Sequence, residues 1–279
     1  VIDERIAEDE RIHRARTIRT VARHKREWFE NVKANTPLIR RDISALWLDQ
    51  GGHGEAISVA AGPSLATDIE DLRAMRPGRE LIVVDAAARF CIDHGLDPDF
   101  IVSTDPSQKI LTMLDGVQTQ ARLVLNVIAH PQVALSWRGG DIFWFVMENQ
   151  FYDMDNQAMI QDMHALTARV GAKLRPGGNV SSIALALALS VRNADRVYLY
   201  GHDFCWKQEM YCGGSHRELE ADRLRDEGNA GTIFKMSNSR GEQVLSNLSL
   251  KRYADWHNEQ IAAAKDRVVN RTTSSILTI

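Results

Sequence analysis

The chain has 279 residues, of which 44% are apolar and 25% are charged, so a large packed core is feasible and disordered, collagen-like and disulfide-scaffold classes are excluded. With 34 Lys and Arg against 37 Asp and Glu, the net charge is -3, which argues against a dedicated nucleic-acid binder. The three cysteines suit a reducing cytoplasm. The longest apolar run is about half the length that a membrane span needs, so we expect no membrane span.

Residues 1–50 are predicted to form an N-terminal helical segment. Apolar residues recur at helical spacing from Ile18 to Val32, which predicts one or two amphipathic helices over 1–34. The mixed charge favours a helix that packs on the domain by its apolar face, and an arm that binds a partner or forms a homo-oligomer is the alternative. Because the chain begins with Val and stops after an apparent strand, we expect a fragment of a longer protein.

From residue 51 onward, short apolar runs alternate with helical stretches. The predicted strands are 56–60, 81–84, 100–103, 123–127, 142–147 and 196–200. The predicted helices are 65–75, 86–94, 107–115, 131–136, 155–169 and 179–191. Repeated alternation of this kind predicts a Rossmann-like, doubly wound α/β domain over 51–279, with a mostly parallel sheet and helices on both faces.

The alternation stops after Tyr200. Residues from about 203 to 247 are rich in Gly, Ser, Asn and charge, and we expect a lid or binding loop there, with a short helix near 216–227. Helical spacing returns between Leu250 and Ala264, and Val268 and Val269 predict a last strand.

Ligands bind beyond the carboxyl ends of the strands in open parallel sheets, so the residues after each strand are candidates for a site. Gly62, Pro63 and Ser64 follow the first strand. Gly62 allows close backbone approach, Pro63 favours a first helical turn, and the next helix directs free N–H groups at the same point, which suits a phosphate. A plain strand-to-helix turn is the alternative. The turn is neither a Walker A loop nor a GxGxxG motif, so P-loop and nicotinamide chemistry lose support.

A second glycine turn opens the helix predicted over 179–191. Gly177, Gly178, Asn179 and Ser181, with Arg175 before them, can present N–H groups, hydroxyls and a cation to an anion. Two such turns at one edge of the sheet would together hold a nucleotide phosphate or a diphosphate. A tight loop before a capped helix is the alternative.

Three aspartates are expected at strand ends. Asp85, Asp105 and Asp203 could hold Mg²⁺ beside phosphates or form hydrogen bonds with a ribose or a base. A buried aspartate that caps a loop is the alternative for each of them.

His216 lies in the predicted lid and is a candidate general acid or base, because histidine titrates near neutrality. An exposed surface histidine is the alternative. The spacing of His202, Cys205, Cys212 and His216 resembles a set of zinc ligands but lacks a CxxC pair, so we expect packed residues there and no metal site.

Five motifs in chain order carry a resemblance to a known family. They are Val59–Leu65, Val84–Ala87, Gly95–Asp99 with Ser103–Pro106, Gly177–Ser181 and Tyr198–Phe204. Together they resemble the MptE-like 6-hydroxymethylpterin diphosphokinases and the motility accessory factor (Maf) proteins linked to flagellin glycosylation. The resemblance covers roughly residues 55–275.

The first motif, the glycine turn and the last motif also look like bacterial sialyltransferases that use CMP-sialic acid. That resemblance implies donor contacts by Gly62, Pro63, Ser64, Gly177, Gly178 and Asn179. It also implies that His216 is the catalytic base. This chain departs from the pattern at Ala61, where Asn is usual, and in a glycine turn that reads Pro-Gly-Gly-Asn.

The resemblance implies a transferase with a nucleotide-activated donor. The first hypothesis is a glycosyltransferase that moves a nonulosonic-acid-like sugar from a CMP-type donor to a protein or glycan acceptor. This reaction requires no cofactor. The alternative is a Mg²⁺-dependent diphosphokinase, in which ATP gives a diphosphate to a pterin-like alcohol and Asp85, Asp105 or Asp203 holds the metal. A non-catalytic module that binds a nucleotide sugar is the third reading.

Overall fold

The computed structural model describes residues 24–39, 54–147, 166, 168–175, 177–212 and 233–278. Its centre is a sheet of eight parallel strands, and a separate antiparallel hairpin stands beside it. The sheet strands are β1 (Glu55–Val59), β2 (Glu80–Val84), β3 (Phe100–Ser103), β4 (Arg122–Asn126), β5 (Ile142–Met147), β6 (Lys173–Leu174), β7 (Arg196–Tyr200) and β10 (Val268–Asn270). The hairpin consists of β8 (Ile233–Ser237) and β9 (Gln243–Asn247).

The helices connect the strands. They are α1 (24–35), α2 (Leu65–Met75), α3 (Asp85–Asp93), α4 (Ile110–Leu114), α5 (Pro131–Ser136), α6 (Val180–Ala186, continued by the π-helical residues Leu187–Val191) and α7 (Leu248–Ala264). Applied to the strand order, the rule that crossovers are right-handed assigns α2 to α5 to one face of the sheet and α6 and α7 to the other. Within the described part of the chain, no helix is both long enough and apolar enough to cross a membrane.

The strands are buried because helices cover both faces. In β2, every residue after Glu80 is buried, and the same holds for β1 after Glu55. A strand covered on both sides needs apolar residues throughout, which is why these segments read as continuous apolar runs in the sequence. The predicted doubly wound α/β fold is confirmed, and the six strands predicted from the sequence are present with boundaries shifted by one residue at most.

The order of the strands creates a crevice between β1 and β7. Across the sheet the order is β10-β7-β1-β2-β3-β4-β5-β6, so the chain runs outward from β1 to β6 and then returns to the other side of β1. The direction of winding reverses between β1 and β7, and ligands in such sheets bind at the carboxyl ends of the strands next to this reversal.

The structure adds elements that the sequence pattern did not predict. β6 has only two residues, which is too short to show a period. The hairpin lies inside the segment that we expected to be an irregular lid, and most residues of β8 are partly or fully exposed, so no apolar alternation marks it. The predicted helices over 155–169 and 216–227 lie outside the described residues, apart from 166, 168 and 169, which are helical.

Helix α1 is attached to the domain by two buried asparagines. The side-chain amide of Asn35 donates to Val127 O (2.9 Å) and Ala129 O (2.8 Å). The amide of Asn31 donates to Pro106 O (2.9 Å) and Ile128 O (3.0 Å). These carbonyls belong to the loops after β3 and β4, so this helix supports the loops at the carboxyl edge of the sheet.

We expect Asn35→Ala to lower the free energy of unfolding by about 1–3 kcal/mol, because it leaves two buried carbonyls without donors. Asn35→Asp should cost more, since it keeps the size of the side chain but directs a carboxylate at the same carbonyls. Urea unfolding measures both effects. Ala34→Gln, at an exposed position of the same helix, is the matched control. Equal stability of Asn35→Ala and Ala34→Gln would show that α1 is not held by this contact.

Candidate functional site

A cleft of about 740 Å³ opens at the carboxyl edge of the sheet, where β1 and β7 end. Its volume lies in the range typical of small-molecule sites. The loops after β1, β2, β3 and β7, the first turns of α6 and α7 and the start of β8 form its walls. The described lining residues include Gly62, Pro63, Asp85, Thr104, Asp105, Gly178, Asn179, Ser181, Gly201, Asp203, Phe204, Cys205, Met210, Tyr211, Ile233, Asn247, Ser249, Leu250 and Tyr253.

Two glycines allow the loops after β1 and β7 to touch through their backbones. Gly62 N donates to Gly201 O at 2.9 Å. A Cβ atom on Gly62 would collide with Gly201 O and with the carboxylate of Asp203. Gly201 has φ +67°, and a Cβ atom there would collide with Ala60 O. Only glycine fits both positions, which explains why one lies directly after β7 and the other three residues after β1.

Ser64 and Asp203 form a buried pair behind this contact. Ser64 N donates to Asp203 Oδ1 (2.9 Å), and Ser64 Oγ donates to Asp203 Oδ2 (3.0 Å). Burial raises the pKa of Asp203 to about 8, although the two hydrogen bonds from Ser64 act in the opposite direction. The Ser64 hydroxyl is therefore engaged with Asp203, and Ser64 is not among the described residues that line the cleft.

The second glycine turn borders the same cleft, as the sequence pattern predicts. Gly178 has φ +93°, and a Cβ atom there would lie 2.6 Å from Cε1 of Tyr253. Asn179 Oδ1 accepts from Ser182 N (3.1 Å), and Asn179 Nδ2 donates to Ser181 Oγ (2.9 Å). These bonds cap α6, so its first turn begins at the cleft. Gly177 packs against Trp256 instead and is absent from the described lining.

Asp85 and Asp105 both line the cleft and are both held by neighbouring groups. Asp85 is buried at the start of α3, where it accepts from Ser103 Oγ (2.8 Å) and Ala86 N (2.7 Å). Asp105 Oδ1 accepts from both the N–H (2.8 Å) and the Oγ (2.7 Å) of Ser107. Among the described residues, no group of three or more His, Cys, Asp or Glu side chains could hold a metal ion. His216 lies outside the described residues.

The start of α7 is a wall that the sequence analysis missed. Asn247 caps this helix, because its Oδ1 accepts from Leu250 N at 2.9 Å, and Ser249 and Tyr253 in the first two turns line the cleft. The sequence does contain one indication of this helix start, because Asn247 precedes the helical pattern and asparagine often caps helices. Its proximity to the cleft depends on the hairpin, which the sequence pattern did not predict.

Helix N-termini bring partial positive charge to the cleft. The helices α2, α3, α6 and α7 all begin at its rim, and each N-terminus carries a partial positive charge. One N–H group at each of these starts already donates to a side-chain oxygen, namely Ser64 N, Ala86 N, Ser182 N and Leu250 N. No Lys or Arg occurs among the described residues of the lining. An anion bound here would be stabilised by helix ends and amides, as in many phosphate sites.

Two buried histidines lie behind the cleft. His202 Nε2 is 3.2 Å from Ser58 Oγ, and His257 Nδ1 donates to Tyr253 O at 2.7 Å. Their ring centroids are 5.3 Å apart. Burial holds the pKa of His202 well below its usual value and lowers the pKa of His257 to about 4. Both side chains are therefore neutral at pH 7.

We expect Asp203→Asn to become more stable relative to the unsubstituted protein as the pH rises from 5 to 8. The folded protein keeps the Asp203 proton up to a pKa of about 8, whereas the unfolded chain loses it near 3.8. Stability therefore falls with rising pH, by up to about 1.4 kcal/mol per unit, and Asn removes this dependence. Urea unfolding at pH 5.5, 6.5 and 7.5 measures the difference in the free energy of unfolding between the two proteins. Because both contain His202 and His257, the contributions of these histidines cancel.

Asp203→Ala is the control for packing and hydrogen bonding, because it leaves the N–H of Ser64 without its acceptor. It should be less stable than Asp203→Asn at every pH by about 1–3 kcal/mol. A constant difference between Asp203→Asn and the unsubstituted protein across this pH range would mean that Asp203 is ionised in the fold.

Comparisons with known proteins agree with this architecture. The family model described as 6-hydroxymethylpterin diphosphokinase MptE-like matches residues 27–209. The MAf glycosyltransferase from Magnetospirillum magneticum AMB-1 matches 85% of this chain with a TM-score of 0.60 at 16% sequence identity, which shows a shared fold. The present chain spans 37% of that protein.

A curated relative matches a shorter stretch. It is an uncharacterized protein of Treponema pallidum (strain Nichols), and it is 44% identical over 52 residues, which are 19% of this chain and 25% of that protein. The family model, by contrast, extends from α1 to the loop after β7 and includes both glycine turns. The chain therefore belongs to the MptE-like 6-hydroxymethylpterin diphosphokinase family.

Proposed function

We propose that the cleft binds a nucleotide-activated sugar and that the protein is a glycosyltransferase of the Maf and sialyltransferase type. The observation that carries this proposal is the cleft itself, where two glycine turns and four helix starts surround one space at the point of winding reversal. The shared fold with a glycosyltransferase supports it. Gly62, Pro63, Gly178, Asn179 and Ser181 would contact the donor.

The charge of the cleft favours a donor with one phosphate. Helix ends and amide groups stabilise an anion by partial charges, whereas a diphosphate usually also needs a metal ion or basic side chains. The described lining offers Asp85 and Asp105 but no basic side chain. We therefore propose a CMP-type donor that carries a nonulosonic-acid-like sugar, with a protein such as flagellin or a glycan as acceptor.

The proposed reaction transfers the sugar to an acceptor hydroxyl. The hydroxyl oxygen forms a bond to the anomeric carbon, the bond from that carbon to the phosphate oxygen breaks, and the nucleotide leaves as CMP with the electron pair. His216 would take the hydroxyl proton. Met210 and Tyr211 precede the segment that carries His216, Ile233 follows it, and all three line the cleft. The buried neutral histidines are not placed to act as this base.

The diphosphokinase alternative would place ATP and Mg²⁺ in the same cleft. Asp85 and Asp105 line it, but both accept hydrogen bonds from neighbouring groups. Asp203 is bonded to Ser64, and its raised pKa keeps it largely protonated at pH 7. A magnesium ligand must be ionised, so Asp203 fits the metal poorly, and the described residues hold no group of three or more His, Cys, Asp or Glu side chains that could complete a metal site. A non-catalytic nucleotide-sugar module would bind the donor without turnover.

The proposal includes a cytoplasmic location. Cys91, Cys205 and Cys212 are buried and form no disulfide with one another, which suits a reducing compartment. Assembly into a homo-oligomer stays a prediction.

We expect CMP to stabilise the protein against heat, and Ser249→Trp to abolish that stabilisation by filling the cleft from the first turn of α7. A ligand at 100 times its Kd adds about 2.7 kcal/mol to the free energy of unfolding, which a thermal shift detects. Lys251→Trp on the same helix, outside the described lining, is the matched control and should keep the CMP effect. Stabilisation by ATP with Mg²⁺ but not by CMP would favour the diphosphokinase, and no response to any nucleotide would refute the proposal.

We expect His216→Ala to reduce sugar transfer by at least a hundredfold, since general base catalysis contributes factors of about 10²–10⁴. Its thermal shift with CMP should equal that of the unsubstituted protein. Transfer is measured as release of CMP in the presence of an acceptor. Unchanged transfer would remove His216 from the mechanism.

A further inference from the structure

A second pocket, of about 310 Å³, shares no described lining residue with the cleft. It is bounded by the end of β6, by the second half of α6 with its π-helical continuation and by α7. Its polar lining consists of Lys173, Arg175, Ser190, Trp256 and Gln260. The sequence pattern had assigned Arg175 to the cleft, but the structure places it here, outside the described lining of the cleft.

The pocket brings together cationic and hydrogen-bonding side chains, three of which have no partner among the residues that the structure describes. Lys173 and Arg175 are two residues apart at the end of β6, a spacing that directs both side chains to one side of the strand. Neither side chain has an ion pair or a hydrogen bond with another described residue, and the same is true of Gln260. No carboxylate occurs among the described residues of this pocket. The pocket therefore favours an anion.

Trp256 gives the pocket a fixed aromatic surface. On one side the indole packs against Gly177, where a Cβ atom would lie 2.6 Å from Cε3. Its ring also meets the ring of His257 at an interplanar angle of 75° and a centroid distance of 5.2 Å. These contacts hold the indole in place. The floor beside it is apolar and comes from α6, where Leu189 and Ser190 belong to the π-helical turn, a feature that is frequent at functional sites.

The groups in the pocket differ in the chemistry that each can recognise. A guanidinium and an ammonium bind a carboxylate or a phosphate. An indole held beside an apolar floor packs against a ring with an apolar face. An amide and a hydroxyl form hydrogen bonds with other hydroxyls. A free phosphate would use only the two cations, whereas a pyranose with a carboxylate would use all of these groups.

We propose that this pocket is a second saccharide site, separate from the cleft, that takes a carboxylate-bearing sugar residue. Lys173 and Arg175 pair with the carboxylate, Trp256 packs against the ring, and Gln260 and Ser190 bind hydroxyls. The inference goes beyond the proposed function, because binding here requires no nucleotide and no occupied cleft.

Glucuronate and glucose test this site because they differ only at the carboxylate. Calorimetric titration of the full chain should detect glucuronate, with at least tenfold weaker binding of glucose and of inorganic phosphate. Lys173→Gln and Arg175→Gln should each weaken glucuronate binding at least tenfold. Lys235→Gln, which removes an exposed cation from β8, is the matched control and should leave it unchanged.

The variants also separate this site from the cleft. Lys173→Gln and Arg175→Gln should keep the melting temperature and the CMP thermal shift of the unsubstituted protein, because neither residue lines the cleft. Absence of glucuronate binding, equal binding of glucuronate and phosphate, or no difference between Arg175→Gln and Lys235→Gln would each overturn the proposal. If CMP fails to bind while glucuronate binds with these effects, the proposed function is wrong and the saccharide site stands.

Discussion

The close approach of two loops, after β1 and after β7, is the constraint on which the rest of the site depends. Gly62 and Gly201 touch through their backbones, and the Asp203 carboxyl group holds the N–H and hydroxyl of Ser64. Any side chain at either glycine would push the loops apart. Because Ser64 is the residue before α2, this contact also sets where that helix begins. The backbone contact between the two glycines and the Ser64–Asp203 pair therefore set the spacing of the loops at this edge of the cleft.

The charges around this cleft come from helix ends and from carboxyl groups. The helices α2, α3, α6 and α7 begin at its rim, while its described lining holds aspartates and no lysine or arginine. Helix ends act over short distances and their effect falls off within one turn. Such a site selects a ligand by where its anionic group lies more than by the total charge of the ligand, which suits recognition of a single phosphate. Two basic side chains, Lys173 and Arg175, lie instead in the separate pocket beside Trp256.

The sequence allowed the fold to be predicted more completely than the site. Strands such as β2 are buried on both faces and therefore appear as apolar runs, and the cap at Asn179 marks the start of α6. Contacts between distant segments leave no such local signal. The pairing of Ser64 with Asp203 depends on the β1–β7 neighbourhood. The position of Arg175 outside the cleft could not be predicted, because the strand before it has only two residues and shows no period. His216 stays a prediction.

Burial of Asp203 reduces stability at neutral pH, and burial of His202 and His257 reduces it below their ordinary pKa of 6.5. His202 and His257 are kept neutral by burial, and Asp203 keeps a proton that the unfolded chain would release. An apolar core of the same volume would carry none of these costs. His257, however, donates to the carbonyl of Tyr253, and Asp203 holds Ser64, so these two buried groups each orient a backbone segment whose neighbours line the cleft. The hydrogen bonds of these buried groups fix the positions of the cleft walls. Apolar packing alone lacks the direction that a hydrogen bond gives.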